Sequence, residues 1–390
     1  MPKQKLLAVS TSCFTASNRE FYRRLNTDSL QVNLVIPENW DFGKGVVQSE
    51  PKQTEDPNLI FLKPTKYHHR LFQLQGIQEL IDEIVPDFIY YEGDPGSVMA
   101  VILGSKARKL GIRFFALSCE NLSQNPLAVI KREGKKQFLN ATVKYALIQL
   151  SKRNIDTLFV INNQGFEYFK SLGFKKVVKT PLGFNEQVFH INQKKREQIR
   201  TQLKVNEDTI IISYFGRLVY EKGVHLLIKA LEKLSTKNWI FLIDEFSRYK
   251  TDYQSKIEAL INNSNFKDKT IFFEANHTEI SNYMNASDIT ILPSIPTKKW
   301  VEQYGRVVPE AMACGNRLII SNQGAQMDFF EPNYHYSYFP EAIDELCKLI
   351  EKAKLEIENG EFNKFEYADI AQERFNLSAQ LKVFQKALQQ

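Results

Sequence analysis

Two carboxylates, Glu302 and Glu310, stand eight positions apart in the run Glu302-Gln303-Tyr304-Gly305-Arg306-Val307-Val308-Pro309-Glu310-Ala311-Met312-Ala313-Cys314-Gly315. They bracket a Tyr-Gly turn and lead into small residues that end in glycine. Gly305 permits close approach of the backbone to a ligand and leaves amide donors free near a helix start. A second run, Tyr214-Phe215-Gly216-Arg217-Leu218-Val219-Tyr220-Glu221-Lys222-Gly223, carries Arg217 and Lys222 five positions apart between two glycines. A planar guanidinium fork and a compact ammonium, together with backbone amides, are what a diphosphate requires. Taken alone, each run has a plain structural reading as well: a capping glutamate beside a solvated one, and a surface Arg and Lys on an ordinary strand-to-helix loop.

The flanking residues say which elements would hold these side chains. The segment 286–294 reads as a buried strand stopping at Pro293, and 317–321 reads as another strand. Glu302 then falls in the loop between strand and helix, and Glu310 in the helix. Arg217 and Lys222 follow an apolar strand at 209–215 and precede a helix whose Val224, Leu227, Ile228, Leu231 and Leu234 form an apolar stripe. Loops at the carboxyl ends of parallel strands are where open α/β sheets bind ligands.

The same alternation runs along the whole chain. Strands are expected at 6–10, 31–36, 58–62, 87–91, 113–117, 157–161 and 176–180, with helices between most of them, including 71–84 and 98–110. After a turn-rich stretch at 181–189 a second series begins, with strands at 209–215, 239–243, 270–273, 289–292 and 317–320 and closing helices at 339–356 and 377–388. Such alternation predicts parallel sheets covered by helices. The chain of 390 residues is long enough for two such domains. A hydrophobic content of 43% and a charged content of 25% are those of a soluble globular protein. No apolar run approaches the ~20 residues that span a bilayer. The first residues read as a β-strand rather than a signal peptide. Cys13, Cys119, Cys314 and Cys347 are widely separated, which predicts reduced thiols in a cytoplasmic protein.

The net charge of +6 is unevenly distributed: residues 101–160 hold eleven Lys or Arg against three acids. From 127 to 150 bases alternate with apolar residues at helical spacing, and the basic segment 127–153 has two open readings. One is a surface for anionic lipid headgroups at the inner face of a membrane. The other is a solvated face on a helix that packs its apolar side inward. No nucleic-acid-binding motif accompanies the charge. Two further carboxylates follow expected strands, Asp94 in Tyr91-Glu92-Gly93-Asp94-Pro95-Gly96-Ser97 and Glu120 in Ser118-Cys119-Glu120-Asn121. Both loops would rise at one sheet edge, where these acids would orient or deprotonate an acceptor hydroxyl, or serve as helix caps and turn carboxylates.

The paired glutamates, with Tyr-Gly between them and Ala-Met-Ala-Cys-Gly behind, resemble the E-x7-E signature of retaining glycosyltransferases of the GT-B fold, glycosyltransferase family 4. The Gly216-Arg217 and Lys222-Gly223 pairs resemble that family's phosphate motif and occur in the expected order. The resemblance implies two Rossmann-like α/β domains facing an interdomain cleft. Residues 1–190 would bind the acceptor, 191–370 would bind the donor, and a final helix at about 371–390 would return to the first domain. It further implies a nucleoside-diphosphate sugar as donor, a glycan or lipid-linked acceptor, and neither a metal nor a covalently bound cofactor. Gly216, Arg217 and Lys222 would hold the diphosphate, and Glu302 would face the transferred sugar. Amides around Tyr304, Gly305, Arg306 and Val307 would meet the sugar or distal phosphate, and Glu310 the ribose hydroxyls. The implied setting is surface polysaccharide, lipopolysaccharide or glycolipid synthesis. A sugar-nucleotide epimerase or a non-catalytic nucleotide-sugar-binding subunit of the same fold is the alternative. Two departures from the family pattern stand out. The loop 10–19 lacks a Gly-Gly pair, and 242–247 carries Asp244 and Glu245 where relatives have glycines.

Overall fold

The computed structural model describes residues 3–41, 45–245, 251–277 and 279–390. The chain divides into two compact units, Met1–Pro181 with Gln380–Gln390, and Leu182–Ala379.

The first unit is built on strands β1 (Gln4–Ser10), β2 (Leu30–Pro37), β3 (Asn39–Asp41), β4 (Val46–Gln48), β5 (Asn58–Leu62), β6 (Phe88–Glu92), β7 (Arg113–Ser118), β8 (Thr157–Val160) and β9 (Val177–Lys179). Seven of these form a parallel sheet in the order β5-β2-β1-β6-β7-β8-β9, and β3 and β4 pair as a separate antiparallel ribbon. The strands are near-continuous apolar runs because both faces are covered by helices: Leu6, Leu7, Ala8 and Val9 of β1 are all fully buried. The last helix, Leu377–Gln389, places Phe384 of this unit in an aromatic cluster with Phe21, Tyr90 and Phe159.

The second unit carries β10 (Ile210–Tyr214), β11 (Trp239–Asp244), β12 (Thr270–Phe273), β13 (Ile289–Leu292), β14 (Arg317–Ser321) and β15 (His335–Tyr338). They form one parallel sheet in the order β12-β11-β10-β13-β14-β15. The chain winds outward from β10 on one side and from β13 on the other, so the strand order reverses between these two neighbours. Its core joins Ile212, Leu227, Phe241 and Ile291 with Ile350 and Leu346 of the helix Ile343–Glu358.

Three expectations are corrected. The helix predicted over 71–84 spans only Ile77–Ile84. The preceding residues fold back instead, Leu74 bridging Pro64 and Phe72 filling the core. The helix expected from residue 339 begins at Ile343, since 335–338 is claimed by the edge strand β15. The basic stretch 127–153 is not one helix but two, Pro126–Glu133 and Phe138–Lys152, broken at Gly134. Of the residues 242–247, Phe246 and Ser247 lie outside the described residues.

Candidate active site

Each motif of the second unit sits on a local structure that its residues explain. After β10 the chain makes a loop closed by the Tyr214 hydroxyl, which donates to the Arg217 carbonyl at 2.9 Å. A single helical turn, Tyr220–Lys222, then meets Gly223 in the left-handed region, φ +66°. A β-carbon at Gly223 would come within 1.9 Å of the Pro293 carbonyl oxygen, so only glycine lets the loops after β10 and β13 touch. The Ile295 amide donates to the Glu221 carbonyl at 2.8 Å and ties the two loops together.

The helix bearing Glu310, Val307–Ala313, tolerates Pro309 because amides of the first turn have no partner within the helix. It stops at Gly315, whose amide returns to the Met312 carbonyl at 2.8 Å.

Lys222 and Glu302 meet directly: Nζ lies 2.5 Å from Oε2. The Ser294 hydroxyl donates to the same oxygen at 3.2 Å, and the Glu302 backbone is held by Gln323 Oε1 and the Ala325 amide. The ammonium also lies 5.2 Å from the centre of the Trp300 ring. Glu302 is 6% exposed and Glu310 4%. Glu310 Oε1 is buried and accepts no hydrogen bond; Arg306 Nε stands 3.6 Å away and His277 Nε2 3.4 Å away. A buried carboxylate oxygen without a donor costs about 1–3 kcal/mol or more, which a ligand hydroxyl would offset.

Arg217 is exposed, and among the described residues its guanidinium forms no ion pair or hydrogen bond. Gly216 precedes it, and Gly305, Arg306 and Val307 form the entry to the Glu310 helix. Tyr304 has a structural task. Its buried hydroxyl accepts the Leu182 amide at 2.9 Å, its ring packs edge-on against Phe329, and burial pushes its phenol well above the usual range.

In the first unit Asp94 and Glu120 are brought together by a residue that the sequence reading passed over. Lys144, on the buried face of Phe138–Lys152, lies 2.7 Å from Glu120 Oε2 and 3.1 Å from Asp94 Oδ2. Burial and the neighbouring Asp94 raise the Glu120 carboxyl, and Lys144 works in the opposite direction. Asp94 also caps its own loop by accepting the Gly96 amide at 2.7 Å. The loop after β1, which lacks the glycine pair, is braced by side chains. Arg19 is buried against Asp56 at 2.7 Å, and Ser12 donates to Glu92 at 2.7 Å. Ser294, Gln323, His277, Lys144 and Glu92 were all missed from sequence. Only Ser294, directly behind the strand-ending Pro293, had a local signal. Among the described residues no three His, Cys, Asp or Glu side chains gather in a metal-holding group.

Residues 195–364 match the family described as glycosyl transferases group 1. Over 152 residues the chain is 29% identical to an uncharacterized glycosyltransferase of Methanocaldococcus jannaschii, covering 38% of this chain and 37% of that protein. It is 25% identical over 224 residues to a lipopolysaccharide 1,2-N-acetylglucosaminetransferase of Salmonella typhimurium, covering 53% and 57%. The chain thus spans between about a third and three fifths of the length of these relatives. Among solved structures it is similar to a sucrose-phosphate synthase from Thermosynechococcus elongatus, with a TM-score of 0.74 at 16% identity, covering 99% of this chain and 98% of that one. Anabaena HepE in complex with UDP gives a TM-score of 0.73 at 16% identity, covering 99% of each chain. These likenesses establish the GT-B fold of two Rossmann-like domains.

Proposed function

Proceeding from the group 1 glycosyltransferase domain at residues 195–364, we propose that the protein is a retaining glycosyltransferase. It moves a sugar from a nucleoside diphosphate to a hydroxyl of a glycan or lipid-linked acceptor in polysaccharide or lipopolysaccharide synthesis. The observation that carries this reading is the buried Glu310 Oε1, which accepts no hydrogen bond and belongs to the same loop-helix unit as Glu302, the partner of Lys222. Ribose hydroxyls are the donors that such an oxygen lacks.

In this reading Lys222 and Arg217 hold the diphosphate. As the bond from the anomeric carbon to phosphate oxygen breaks, the electron pair leaves with the nucleoside diphosphate, and the two cations stabilise that charge. Glu302 accepts hydrogen bonds from the sugar. Amides at 304–307 meet the sugar or distal phosphate. The acceptor oxygen bonds to the anomeric carbon on the face the phosphate leaves, and its proton passes to the departing phosphate. The first unit takes the acceptor, with Asp94 and Glu120 orienting it.

A calorimetric screen of nucleoside diphosphates and their sugar conjugates against wild type and Glu310→Ala tests the donor site. Selective binding by one nucleotide, weakened in the variant, supports it; no binding by any overturns it. Proton NMR of the first-formed product anomer tests retention.

Contact with an anionic membrane is part of the proposal. Leu127 is 75% exposed and Leu139 72%, beside the exposed Lys131, Lys135 and Lys136. Unburied apolar side chains flanked by bases suit an anionic lipid surface. Cosedimentation with phosphatidylglycerol vesicles is expected, and is expected to fail for Leu139→Glu. Equal sedimentation of both proteins would dismiss the contact. Among the described residues no helix is long and apolar enough to cross a membrane.

A further inference from the structure

The second unit contains a cavity of about 560 Å³ lined by none of the residues to which a donor role is given. Asp288, which immediately precedes β13, and Cys314 and Gly315, which precede β14, line it, so it opens at the amino ends of those strands. The loops of Arg217 and Glu302 follow the carboxyl ends of β10 and β13. The cavity therefore lies at the opposite edge of the sheet from the donor residues. A volume of several hundred Å³ is that of a small-molecule site.

Its charges are unevenly committed. Arg196 pairs with Asp288 at 2.9 Å and Glu207 at 2.7 Å, and Arg200 pairs with the other Asp288 oxygen at 2.6 Å. The acids are thereby spent on arginines. The ammonium of Lys364, which also lines the cavity, forms no ion pair or hydrogen bond among the described residues. It stands over the face of Phe365, 5.4 Å from the ring centre. Burial first, and then the nearby Arg196, lower its pKa, while Asp288 and Glu207 act in the opposite direction. Ile191, Ile357 and Phe362 give the cavity an apolar wall.

We infer that this cavity binds a small phosphomonoester or like anion with an apolar body, its charge on Lys364 and its body against Ile191, Ile357 and Phe362. The site is independent of the donor reading, because it shares no residue with it. An anion at Lys364 would give its ammonium the hydrogen-bonded partner it lacks among the described residues, and the apolar wall would pack against the body of the ligand.

Phenyl phosphate is the probe, with inorganic phosphate as its comparison, measured by calorimetry on the full chain. Because Arg217 and Lys222 also attract phosphate, three proteins are compared: wild type, Lys364→Met and Arg217→Ala. Methionine keeps the packing of the lysine stem, and an unchanged melting temperature certifies the fold. The expected result is saturable binding of phenyl phosphate, weakened at least about tenfold in Lys364→Met, the value of a charged hydrogen bond, and unchanged in Arg217→Ala. Lys364→Arg is expected to restore it. Absence of binding to wild type, or a loss in Arg217→Ala but not in Lys364→Met, would overturn the site. Equal affinity for inorganic phosphate would overturn the apolar half of the ligand.

Discussion

Lys222 and Glu302 are 80 residues apart in the chain and 2.5 Å apart in space. Each belongs to a loop behind one of two neighbouring strands, β10 and β13, where the strand order of the sheet reverses. The reversal sends the following helices to opposite sides and leaves the two loops facing one another. Lys222 thereby gains a fixed position beside the buried Glu302 carboxylate.

Replacing Lys222 by alanine removes a phosphate-binding cation and strands the Glu302 carboxylate. Because Lys222 is partly exposed, the cost to stability is expected below the range for fully buried pairs, about 2 kcal/mol. Sugar transfer is expected to fall at least about tenfold, given the worth of hydrogen bonds to charged groups. Urea denaturation and steady-state kinetics measure the two separately. Undiminished transfer in Lys222→Ala would remove it from the mechanism.

Glu310→Gln keeps the shape of the side chain and removes its charge. Nucleoside diphosphate affinity is expected to fall about tenfold, since an ionised acceptor makes roughly twice as strong a hydrogen bond. The melting temperature should change little, because Oε1 accepts no hydrogen bond within the protein and its ion-pair neighbours Arg306 and His277 are exposed. A lower melting temperature with unchanged affinity would assign Glu310 to structure alone.

Tyr304→Phe removes the acceptor of the Leu182 amide. The orphaned donor is expected to cost about 1–3 kcal/mol. Denaturation monitored by circular dichroism checks this, and an effect below a few tenths would mean that water replaces the phenol without penalty.

Glu120 and Lys144 predict a dependence on pH. Burial and Asp94 raise the folded pKa of Glu120 above its ordinary 4.5. The native state therefore binds more protons than the unfolded chain over that window, and stability falls as pH rises through it. Lys144 limits the fall by pairing with the carboxylate. Lys144→Met should therefore lose about 3 kcal/mol at pH 7 and distinctly less at pH 4, below the ordinary 4.5 of the carboxyl, where Glu120 is mostly protonated. Denaturant titrations at the two pH values decide it; an equal loss at both would show that Lys144 acts by packing.

Much of this was legible along the chain. Apolar runs at 58–62, 270–273 and 289–292 are strands with the expected limits; 289–292 is buried at every position, as a strand covered on both faces is. Where an element's fate rested on a distant partner, periodicity failed. Residues 71–76 carry a helical pattern, yet Leu74 pairs with Pro64 and Phe72 is drawn into the core. The polar His335-Tyr336-Ser337-Tyr338 became β15 because β14 offers it an open edge. Lys144 read as one base in a basic helix, and two acids from separate loops made it a buried ion-pair partner.

By itself, then, the sequence determined the elements and the chemistry carried on each loop: two cations behind one strand, two carboxylates behind another, in a fixed order. Those are local matters of hydrophobic pattern, glycine placement and side-chain type. Only the tertiary structure decided that β13 lies beside β10, that Lys222 is spent on Glu302 while Arg217 has no ion pair among the described residues, and that Tyr304 serves Leu182. It also decided that Lys364 borders a cavity whose acids, Asp288 and Glu207, pair with arginines. Each of these depends on which strand becomes whose neighbour, and that is set by the packing of the whole unit.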